Sequence, residues 1–596
     1  MKQVVAVLLL FISTTIGAIA TPPLKKIYPH RQPNGEVVLI QKHGDGLQGF
    51  YTNEEGMPLL MNERGALCYV VEEQGKLALS NVEYSKHSLE LPLNMIRSAK
   101  QAAQLIATTV EAPAKNTRSL HAVNSDGLGT LGKAANGCVA SVGEILIPVI
   151  MVEFPDKAFA EETTVEKVTR LLNEDGYSDE PFCKGSVRNY FESQSNGAFS
   201  PSFEVVAKVV ANEGYAHYGK NKGSDIDNNV TSLIKEVVNK AEAQGTDFSK
   251  FVVNGKVPLV SIYYAGPGEH SAFEAGCEDY LWAHFREYSI RSNAGVSLGS
   301  YFIGNELLQD YDKDENETIV ITGAQPDGIG VFCHEFSHAL GLPDFYYTGS
   351  NTTVYDTLIT MDFWSVMDYG QYAYDGYAPV SYTAYERCYM GWLNLVELSE
   401  TNKGLNTLHP LGNENQGTTA YLLRNTANEK EYYILENRQA SNVWHPTFLG
   451  NGMLITHVDY DEAAWKYNRV NNEPEHQRMQ YVPADGAKQS YDSKNSWNDY
   501  KGDLFPGISY NYNFTDATNP ASSVFKGNGL NQPIYDISEG DGVITFYYLI
   551  DKEASAINSV TISTNEEAPI FDIYGRRVIH PKNRGVYIQN GIKIIQ

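Results

Sequence analysis

The stretch from His334 to Asp344, which reads HEFSHALGLPD, constrains this chain more than any other feature. On a helix, His334 and His338 lie one turn apart on the same face, so both imidazoles can reach one metal ion. Glu335 projects from the adjacent edge of that helix, near enough to take a proton from a metal-bound water. The spacing therefore predicts a zinc site whose general base comes from the same helical turn.

The residues that follow this helix predict a third zinc ligand. Gly341 can adopt the positive φ that ends a helix, and Pro343 cannot continue it, so the chain turns back and can bring Asp344 toward the ion. Three protein ligands leave one zinc position for water, and zinc lowers the pKa of that water toward ~7. Glu335 can take its proton and return it to a leaving amine, so these parts predict hydrolysis of peptide bonds.

A second feature lies downstream, where the stretch from Trp364 to Tyr369 reads WSVMDY. In the metzincin group of metallopeptidases, a methionine turn forms a hydrophobic floor beneath the zinc, and Met367 resembles that methionine. Tyr369 stands where some such enzymes place a phenol that donates to the oxyanion. The other interpretation of Met367 is structural, because methionine readily fills gaps among aromatic core residues.

Length and charge limit the class of protein. With 596 residues, the chain exceeds one ordinary domain and predicts about three to five units. Its formal net charge of −26 argues against nucleic acid as a partner and is typical of a soluble protein outside the cytoplasm. Solubility alone explains the acidity, which names no partner.

The amino terminus has the pattern of a secretory signal. Lys2 is the charged end, the apolar run 4–12 is too short to span a membrane, and Ala18 to Ala20 form a small-residue cleavage site before Thr21. No later segment has the length and apolarity of a membrane-spanning helix. We therefore expect an exported protein, secreted or held at the cell surface, that engages the secretion machinery.

The pattern of apolar residues divides the rest of the chain. Short strand patterns broken by turns fill the region from about residue 34 to 88, and a polar linker exposed to proteolysis is predicted at 111–137. From residue 138, apolar strands alternate with helices and lead to the metal helix, which favours a zincin-type α/β (α+β) domain with a mixed sheet, a backing helix and an active-site helix. After residue 395 the pattern is β-rich and predicts sandwich-like modules.

Two smaller patterns each allow two interpretations. Cys68 can act as a zinc-blocking thiolate, but its apolar neighbours favour a residue of a strand core. The acidic loop 310–316, DYDKDEN, fits the start of an EF-hand and suggests structural calcium. Its sixth position is Glu315 rather than glycine, however, which favours a solvated hairpin loop.

Together these motifs resemble the immune inhibitor A family of secreted zinc metallopeptidases, in the variety found in Bacteroidetes-like bacteria. The stretch 334–344 matches the family signature HExxHxxGLPD, and the apolar strand 145–154 matches the start of the family's domain. Further blocks resemble the family at 186–191, 265–269, 436–438 and 452–459. The resemblance therefore covers nearly the whole chain.

The resemblance implies a zinc endopeptidase, made as a latent precursor, that cleaves extracellular or host proteins. It assigns His334 and His338 to zinc and Glu335 to proton transfer. Asp344 is the expected third ligand; in the alternative, a later acid such as Glu386 binds zinc and Asp344 anchors the loop. Cleavage in the linker is expected to release the active enzyme. The expected order is signal peptide, propeptide with linker, catalytic domain, β-rich accessory domain and sorting-like module, at 1–20, 21–137, 138–395, 396–552 and 553–596.

The carboxyl-terminal segment has two interpretations. Two strand patterns, at 570–578 and 585–588, resemble the sorting domain of the type IX secretion route, which carries proteins across the outer membrane. The alternative is a plain β module that completes the accessory domain.

Two other functions fit a zincin scaffold. A non-catalytic surface adhesin would show the loss of Glu335 or of a histidine, and neither is lost here. A metal-dependent amidase that acts on cell-wall or glycan-linked amides would keep the same residues. Activity on such amides with none on proteins would distinguish it from a peptidase.

Overall fold

In the computed structural model, five β-sheets organise the described residues. The described ranges are 18–24, 27–44, 49–62, 64–85, 91–108, 124–129, 138–222, 226–274, 276–313, 319–349, 358–488, 496–551, 569–579, 585–589 and 592–595. The sheets contain seven, six, five, four and three strands, and several helices pack against them. The chain is therefore a multidomain protein of mixed α/β structure.

The leader, residues 18–108, contributes to two sheets. Strand β1 (Ala18–Ala20) belongs to the seven-stranded sheet, and the strands that follow form the six-stranded antiparallel sheet in simple chain order. Helix α1 packs against this second sheet through Ala102 and Ile106. The elements are β2 (Tyr28–Arg31), β3 (Val37–Gly44), β4 (Gly49–Thr52), β5 (Pro58–Met61), β6 (Leu67–Glu73), β7 (Lys76–Glu83) and α1 (Leu93–Thr108).

The seven-stranded sheet forms the centre of the region from residue 138 to 392. Its strand order is β1-β11-β12-β10-β8-β9, with β13 paired to β12. The pairs β8–β9, β8–β10 and β10–β12 are parallel, whereas β11 pairs antiparallel with both β12 and β1. The elements are β8 (Gly143–Glu153), α2 (Val165–Asn173), α3 (Val187–Gln194), β9 (Phe199–Val210), α4 (Tyr215–Gly219), α5 (Val230–Ala243), β10 (Val260–Pro267), β11 (His284–Arg291), β12 (Ser297–Lys313), β13 (Ile319–Pro326), α6 (Gly330–Ala339) and α7 (Ala384–Tyr389).

Helices cover both faces of this sheet, as parallel strands require. On β8, Val149 and Met151 pack in the cluster that holds α2, α3 and α6. The alternate residues Ile150 and Val152 pack in the cluster that holds α5. The long apolar run of β8 follows from this arrangement, because both faces of the strand are buried. The expected backing helix is α5, and the expected active-site helix is α6.

The region after residue 392 is β-rich. A five-stranded sheet has the order β14-β16-β17-β18-β19, a three-stranded sheet has the order β15-β21-β20, and a four-stranded sheet at the carboxyl end has the order β23-β22-β24-β25. The elements are β14 (Val396–Glu397), β15 (Gly404–Leu408), β16 (Ala420–Arg424), β17 (Glu431–Arg438), β18 (Gly452–Asp459), α8 (Glu462–Lys466), β19 (Met479–Tyr481), α9 (Ser496–Gly502), β20 (Ile534–Gly540), β21 (Val543–Tyr548), β22 (Ile570–Asp572), β23 (Arg577–Val578), β24 (Val586–Gln589) and β25 (Ile592–Ile595).

The five-stranded sheet joins two hydrophobic cores. Leu422 and Ile434 on one face belong to the cluster that contains Phe336 of helix α6. Leu423 and Leu435 on the other face pack with the three-stranded sheet. The accessory sheet is therefore continuous with the core behind the metal helix, which sequence patterns did not predict.

A buried ionic contact adds to this junction. Arg438 of β17 donates from Nε to Glu436 at 2.6 Å and from Nη1 to the Ser381 hydroxyl at 2.6 Å. Its Nη2 donates to the carbonyl oxygen of Trp364 at 3.2 Å. Because the guanidinium is almost fully buried, these acceptors satisfy a charge that would otherwise be costly. They hold the loop that follows the metal helix against the accessory sheet.

The structure locates Cys68 and the acidic loop, the two smaller features of the sequence. Cys68 lies buried in β6 and accepts a hydrogen bond from the Asn62 amide at 3.3 Å, in agreement with the strand-core interpretation. Residues 310–313 of the acidic loop belong to β12 and pair with β13, and residues 314–316 of that loop lie outside the described residues. Across the described residues, no helix has both the length and the apolarity needed to cross a membrane.

Helix α6 starts with a close backbone approach that predicts the effect of one substitution. A Cβ added to Gly330 would lie 1.9 Å from the carbonyl oxygen of Gln371. We expect Gly330→Ala to destabilise the protein by about 1–3 kcal/mol, because helix α6 must shift away from that loop. Thermal unfolding of the full chain measures the change. Gly304→Ala is the matched control, since a Cβ there meets nothing within 4 Å; equal melting temperatures for the two variants would contradict this account.

Candidate active site

Helix α6 presents the predicted residues from a fully buried position. Every residue from Gly330 to Ala339 is buried. The helix ends as predicted: Gly341 has a φ of 111°, its N–H donates to the His338 carbonyl at 3.0 Å, and the N–H of Leu342 donates to the Ser337 carbonyl at 3.2 Å. These bonds satisfy the last carbonyls of the helix. The chain then reverses and carries Asp344 back toward the two histidines.

Three side chains converge behind this turn. The Nε2 atoms of His334 and His338 lie 3.1 Å apart. The Oδ1 atom of Asp344 lies 3.3 Å from Nε2 of His334 and 3.2 Å from Nε2 of His338. Among the described residues, this is the one group of three or more histidine, cysteine or carboxylate ligands close enough to hold a metal ion. The described residues contain no comparable cluster of carboxylates that would suggest a calcium site.

Neighbouring groups orient each of the three side chains. His334 Nδ1 lies 2.8 Å from the Val366 carbonyl, and His338 Nδ1 lies 2.8 Å from the Leu342 carbonyl. Each imidazole can therefore donate from Nδ1 and leave Nε2 as an acceptor or metal ligand. The Asn468 amide donates to Asp344 Oδ2 at 2.6 Å and accepts the Asp344 N–H at 2.7 Å.

Asn468 is a site residue that the sequence did not reveal. It follows helix α8 in the accessory region and has a φ of 56°. An asparagine in the left-handed conformation is a weak turn signal that cannot indicate a partner so distant in the chain. Its contact with Asp344 makes the accessory region part of the site.

The donor set fits a zinc ion. Two imidazole nitrogens and one carboxylate oxygen are common ligands of zinc sites that keep a fourth position open. Asp344 Oδ1 is buried without a hydrogen-bond partner of good geometry among the described residues, and so is Glu335 Oε2. An oxygen in such a position calls for a cation or a proton, and a metal ion would supply the cation for Asp344.

The surroundings of Glu335 and Asp344 shift the pKa values of these two carboxyl groups in opposite directions. Burial raises the pKa of Glu335 to about 8, against a lowering by His334. Burial also disfavours the charged form of Asp344, but the two histidines hold the pKa of that carboxyl well below its usual range. Burial would lower the pKa of His334, yet Asp344 and Glu335 bring it above its ordinary value. Asp344 is thus suited to remain an anion, and Glu335 is suited to exchange a proton.

The alternative ligand Glu386 lies elsewhere. Its Oε1 accepts a hydrogen bond from the Ser365 hydroxyl at 2.6 Å, and its Oε2 accepts the N–H of Thr383 at 2.5 Å. This second bond is one half of a capping box at the start of helix α7. Glu386 therefore anchors the downstream loop, and Asp344 is the acid that lies with the histidines.

The segment around Met367 contacts the site through backbone hydrogen bonds and apolar packing. Met367 is fully buried in the cluster that contains Phe336 and Phe345, and its carbonyl accepts the N–H of Phe345 at 2.9 Å. The preceding carbonyl, that of Val366, is the one that orients His334. Tyr369 is buried, and its hydroxyl donates to the carbonyl oxygen of Pro23 in the leader at 3.3 Å. Met367 thus packs in the hydrophobic core, whereas Tyr369 contacts the leader.

A mixed α/β domain whose buried helix presents two histidines and a glutamate, with an aspartate from the following turn, defines a domain of the metallopeptidase class. Residues 141–257 and 253–392 match the family profile of the catalytic domain of immune inhibitor A peptidase M6. The resemblance to the immune inhibitor A family is thereby confirmed over the segment that holds the site.

Two curated relatives agree with this match. The chain is 25% identical over 296 residues to the pre-pro-metalloprotease PrtV of Vibrio cholerae serotype O1 strain M66-2, which covers 42% of this chain and 30% of that protein. It is 26% identical over 324 residues to immune inhibitor A of Bacillus thuringiensis subsp. alesti, which covers 46% of this chain and 44% of that protein. The chain therefore spans less than half the length of these relatives.

The two candidate acids give a direct test of the third ligand. We expect Asp344→Asn to weaken zinc binding by at least about tenfold, because it removes a charged ligand. Glu386→Gln, its matched control, should change the affinity by less than about twofold, since that side chain caps a helix instead. Competition with a chromogenic chelator, on folded full-length protein, measures both affinities. The opposite order would make Glu386 the ligand.

Proposed function

We propose that this protein is a secreted zinc-dependent endopeptidase, made as a latent precursor, that hydrolyses peptide bonds of extracellular or host proteins. The observation that carries the proposal is the buried group of His334, His338 and Asp344 next to Glu335. It lies within the segment that matches the peptidase family profile. Protein and peptide substrates are the partners that such a site requires.

Different residues of the chain have different roles in the proposed hydrolysis. His334, His338 and Asp344 would hold zinc, which when bound polarises a substrate carbonyl and acidifies water. Glu335, whose Oε2 has no hydrogen-bond partner among the described residues, takes the proton of the attacking water and delivers it to the leaving amine. Its raised pKa of about 8 suits a group that must gain and lose a proton near neutrality.

Tyr369 is the proposed donor to the oxyanion. Its hydroxyl donates to a peptide carbonyl of the leader, that of Pro23, at 3.3 Å. A phenol that already binds a peptide carbonyl can bind the oxygen of a substrate in the same cleft. Met367 acts through packing, as the floor beneath the histidines.

Contacts between the leader and the catalytic domain support latency. Lys42 of β3 is buried, and its Nζ donates to the Glu269 carbonyl at 2.8 Å and to Cys277 Sγ at 3.3 Å. Tyr28 stacks on Phe273 with ring centroids 5.2 Å apart. A leader held in this way acts as a propeptide, and cleavage between about residues 111 and 137 would free the enzyme. Within that span, Asp126 contacts Arg424 at 3.0 Å, so residues 124–129 are docked on the accessory sheet.

Export is the remaining part of the proposal. The predicted signal segment, residues 1–20, directs secretion, and its first 17 residues lie outside the described residues. The four-stranded sheet at the carboxyl end carries exposed apolar side chains, with Tyr574 78% and Ile579 80% exposed. Exposed apolar residues on a small module are suited to recognition by another protein. This supports the sorting interpretation over a module that completes the accessory core.

A deletion tests the sorting interpretation. We expect removal of residues 570–596 to stop the protein from reaching the cell surface or medium, because the exposed module would no longer engage the secretion machinery. Immunoblots of periplasm, cell surface and medium in the producing bacterium measure its location. Unchanged export of the shortened chain would make the module a structural appendage.

The central experiment measures casein hydrolysis before and after the linker is cut. We expect the uncut chain to be nearly inactive and the cut, zinc-loaded chain to be active. Glu335→Gln should reduce the activity of the cut chain by at least about 100-fold, because it removes the group that moves the proton.

Zinc content is the control, and it should be the same in the wild type and in Glu335→Gln. Full activity of the uncut chain would contradict latency. Equal activity of the two cut proteins would contradict the mechanism, and cleavage of cell-wall amides with none of casein would favour an amidase.

A further inference from the structure

A row of aromatic side chains leads from the candidate active site to the protein surface. It begins at Tyr369, whose ring centroid lies 6.5 Å from that of Phe363. The ring of Phe363 lies 5.7 Å from that of Phe448, which lies 5.9 Å from that of Tyr374. Tyr374 in turn stacks on Phe182, with ring centroids 5.9 Å apart. We call these five residues the aromatic strip.

The strip is assembled from three separate parts of the chain. Phe182 lies between helices α2 and α3, Phe448 lies between strands β17 and β18, and the other three members follow helix α6. Tyr500 of helix α9 fixes the inner part to the core, because its buried ring lies 5.7 Å from Phe363 and 5.9 Å from Phe448. The catalytic and accessory regions therefore both contribute to this surface.

Exposure to solvent increases along the strip. Tyr369 is 4% exposed, whereas Phe182 at the other end is 67% exposed. The three residues between them are partly buried. A single exposed phenylalanine needs no explanation, but a continuous row of aromatic rings that connects the surface with a buried site indicates a binding surface.

The two outermost rings are held by an unfavourable backbone. Phe182 has a φ of 62° and Tyr374 has a φ of 51°. Bulky residues rarely adopt this left-handed conformation, which costs free energy and is concentrated at binding and catalytic sites. Burial does not compensate for the strain, since Phe182 is mostly exposed and Tyr374 is only partly buried. Glycine would adopt the same φ without strain, so the rings themselves require another explanation.

The inner end of the strip already contacts a polypeptide main chain. Tyr369 donates to the carbonyl oxygen of Pro23, and the N–H of Thr21 donates to Glu335 Oε1 at 2.8 Å. An extended peptide that passes the catalytic glutamate therefore reaches the strip. The four steps from ring to ring together match roughly seven residues of extended chain. The strip is thus continuous with the cleft and can bind a segment of the same polypeptide beyond it.

We propose that the aromatic strip binds extended, unfolded polypeptide through the apolar and aromatic side chains of that polypeptide. Aromatic rings bury large apolar areas and pack on other rings in stacked or edge-to-face geometry. No charged residue belongs to the strip, so the ligand is defined by its apolar side chains. The proposal rests on the proposed peptidase function and deepens it, because the strip would select unfolded proteins over short peptides as substrates.

Binding to the uncut chain tests the strip without hydrolysis. The host carries Glu335→Gln, the probe is casein, and biolayer interferometry measures the affinity. Phe182→Ser should weaken binding by at least about fivefold, because it removes the most exposed ring. Tyr510→Ser is the matched control and should change the affinity by less than about twofold. Tyr510 is 70% exposed and has a φ of 54°, but it is not part of the strip.

Three outcomes of this experiment would overturn the proposal. The first is the absence of casein binding to the host, and the second is an equal effect of the Phe182 and Tyr510 substitutions. The third is binding of a glucan oligosaccharide with none of casein, which would make the strip a platform for sugars.

Kinetics of the cut, zinc-loaded chain give a second measurement. Phe182→Ser should raise KM for casein by at least about fivefold and leave kcat within about twofold, because the strip binds substrate away from the reacting atoms. The KM for a tetrapeptide that fills only the cleft should stay the same. Phe182→Tyr keeps an aromatic ring and should retain the wild-type KM for casein. A fall in kcat alone, or an equal rise in KM for the tetrapeptide, would contradict the proposal.

The binding readout is independent of peptidase activity. If casein binds with the expected loss in Phe182→Ser but is not cleaved after the linker is cut, the proposed function fails while the strip stands as a binding surface. If casein is cleaved but neither its binding nor its KM responds to Phe182→Ser, the proposed function stands and the strip fails.

Discussion

The complete burial of helix α6 is the constraint on which the rest of the site depends. A helix that carries two histidines and a glutamate into a dry interior must have each polar group met by a neighbour. Carbonyls of Val366 and Leu342 meet the histidines, and Asn468 meets the aspartate that completes the group. These partners come from three separate segments. The geometry of the three donor atoms is therefore a property of the whole packed core rather than of the helix.

This explains how far the sequence could predict the structure. The spacing of His334, Glu335 and His338 is set by the helical repeat, and the helix end by Gly341, so local chemistry was sufficient for both. Strand β8 of the central sheet was predictable because burial on both faces of a strand produces a continuous apolar run. Asp344 could be placed only as a choice between two acids, because its approach depends on the turn that follows the helix.

What the sequence could not indicate are contacts between distant segments. No local pattern links Asn468 to Asp344 or Thr21 to Glu335, since each partner is an ordinary polar residue in its own neighbourhood. The shared core could not be predicted for the same reason: the apolar runs of β16 and β17 indicate strands buried on both faces but not what covers each face. The stretch 18–24 predicts only a cleavage site, because an extended run of small residues and prolines carries little structural signal.

The hydrophobic core is continuous from the catalytic region into the accessory region. The family match ends at residue 392. The hydrophobic cluster behind helix α6 nevertheless extends into β16, β17 and β18. Arg438 adds a buried hydrogen bond to Ser381 across this junction. A shared core of this kind favours unfolding of the catalytic and accessory regions together. Loss of Asn468, far from the histidines in sequence, would leave Asp344 without the two hydrogen bonds that hold it from the accessory region.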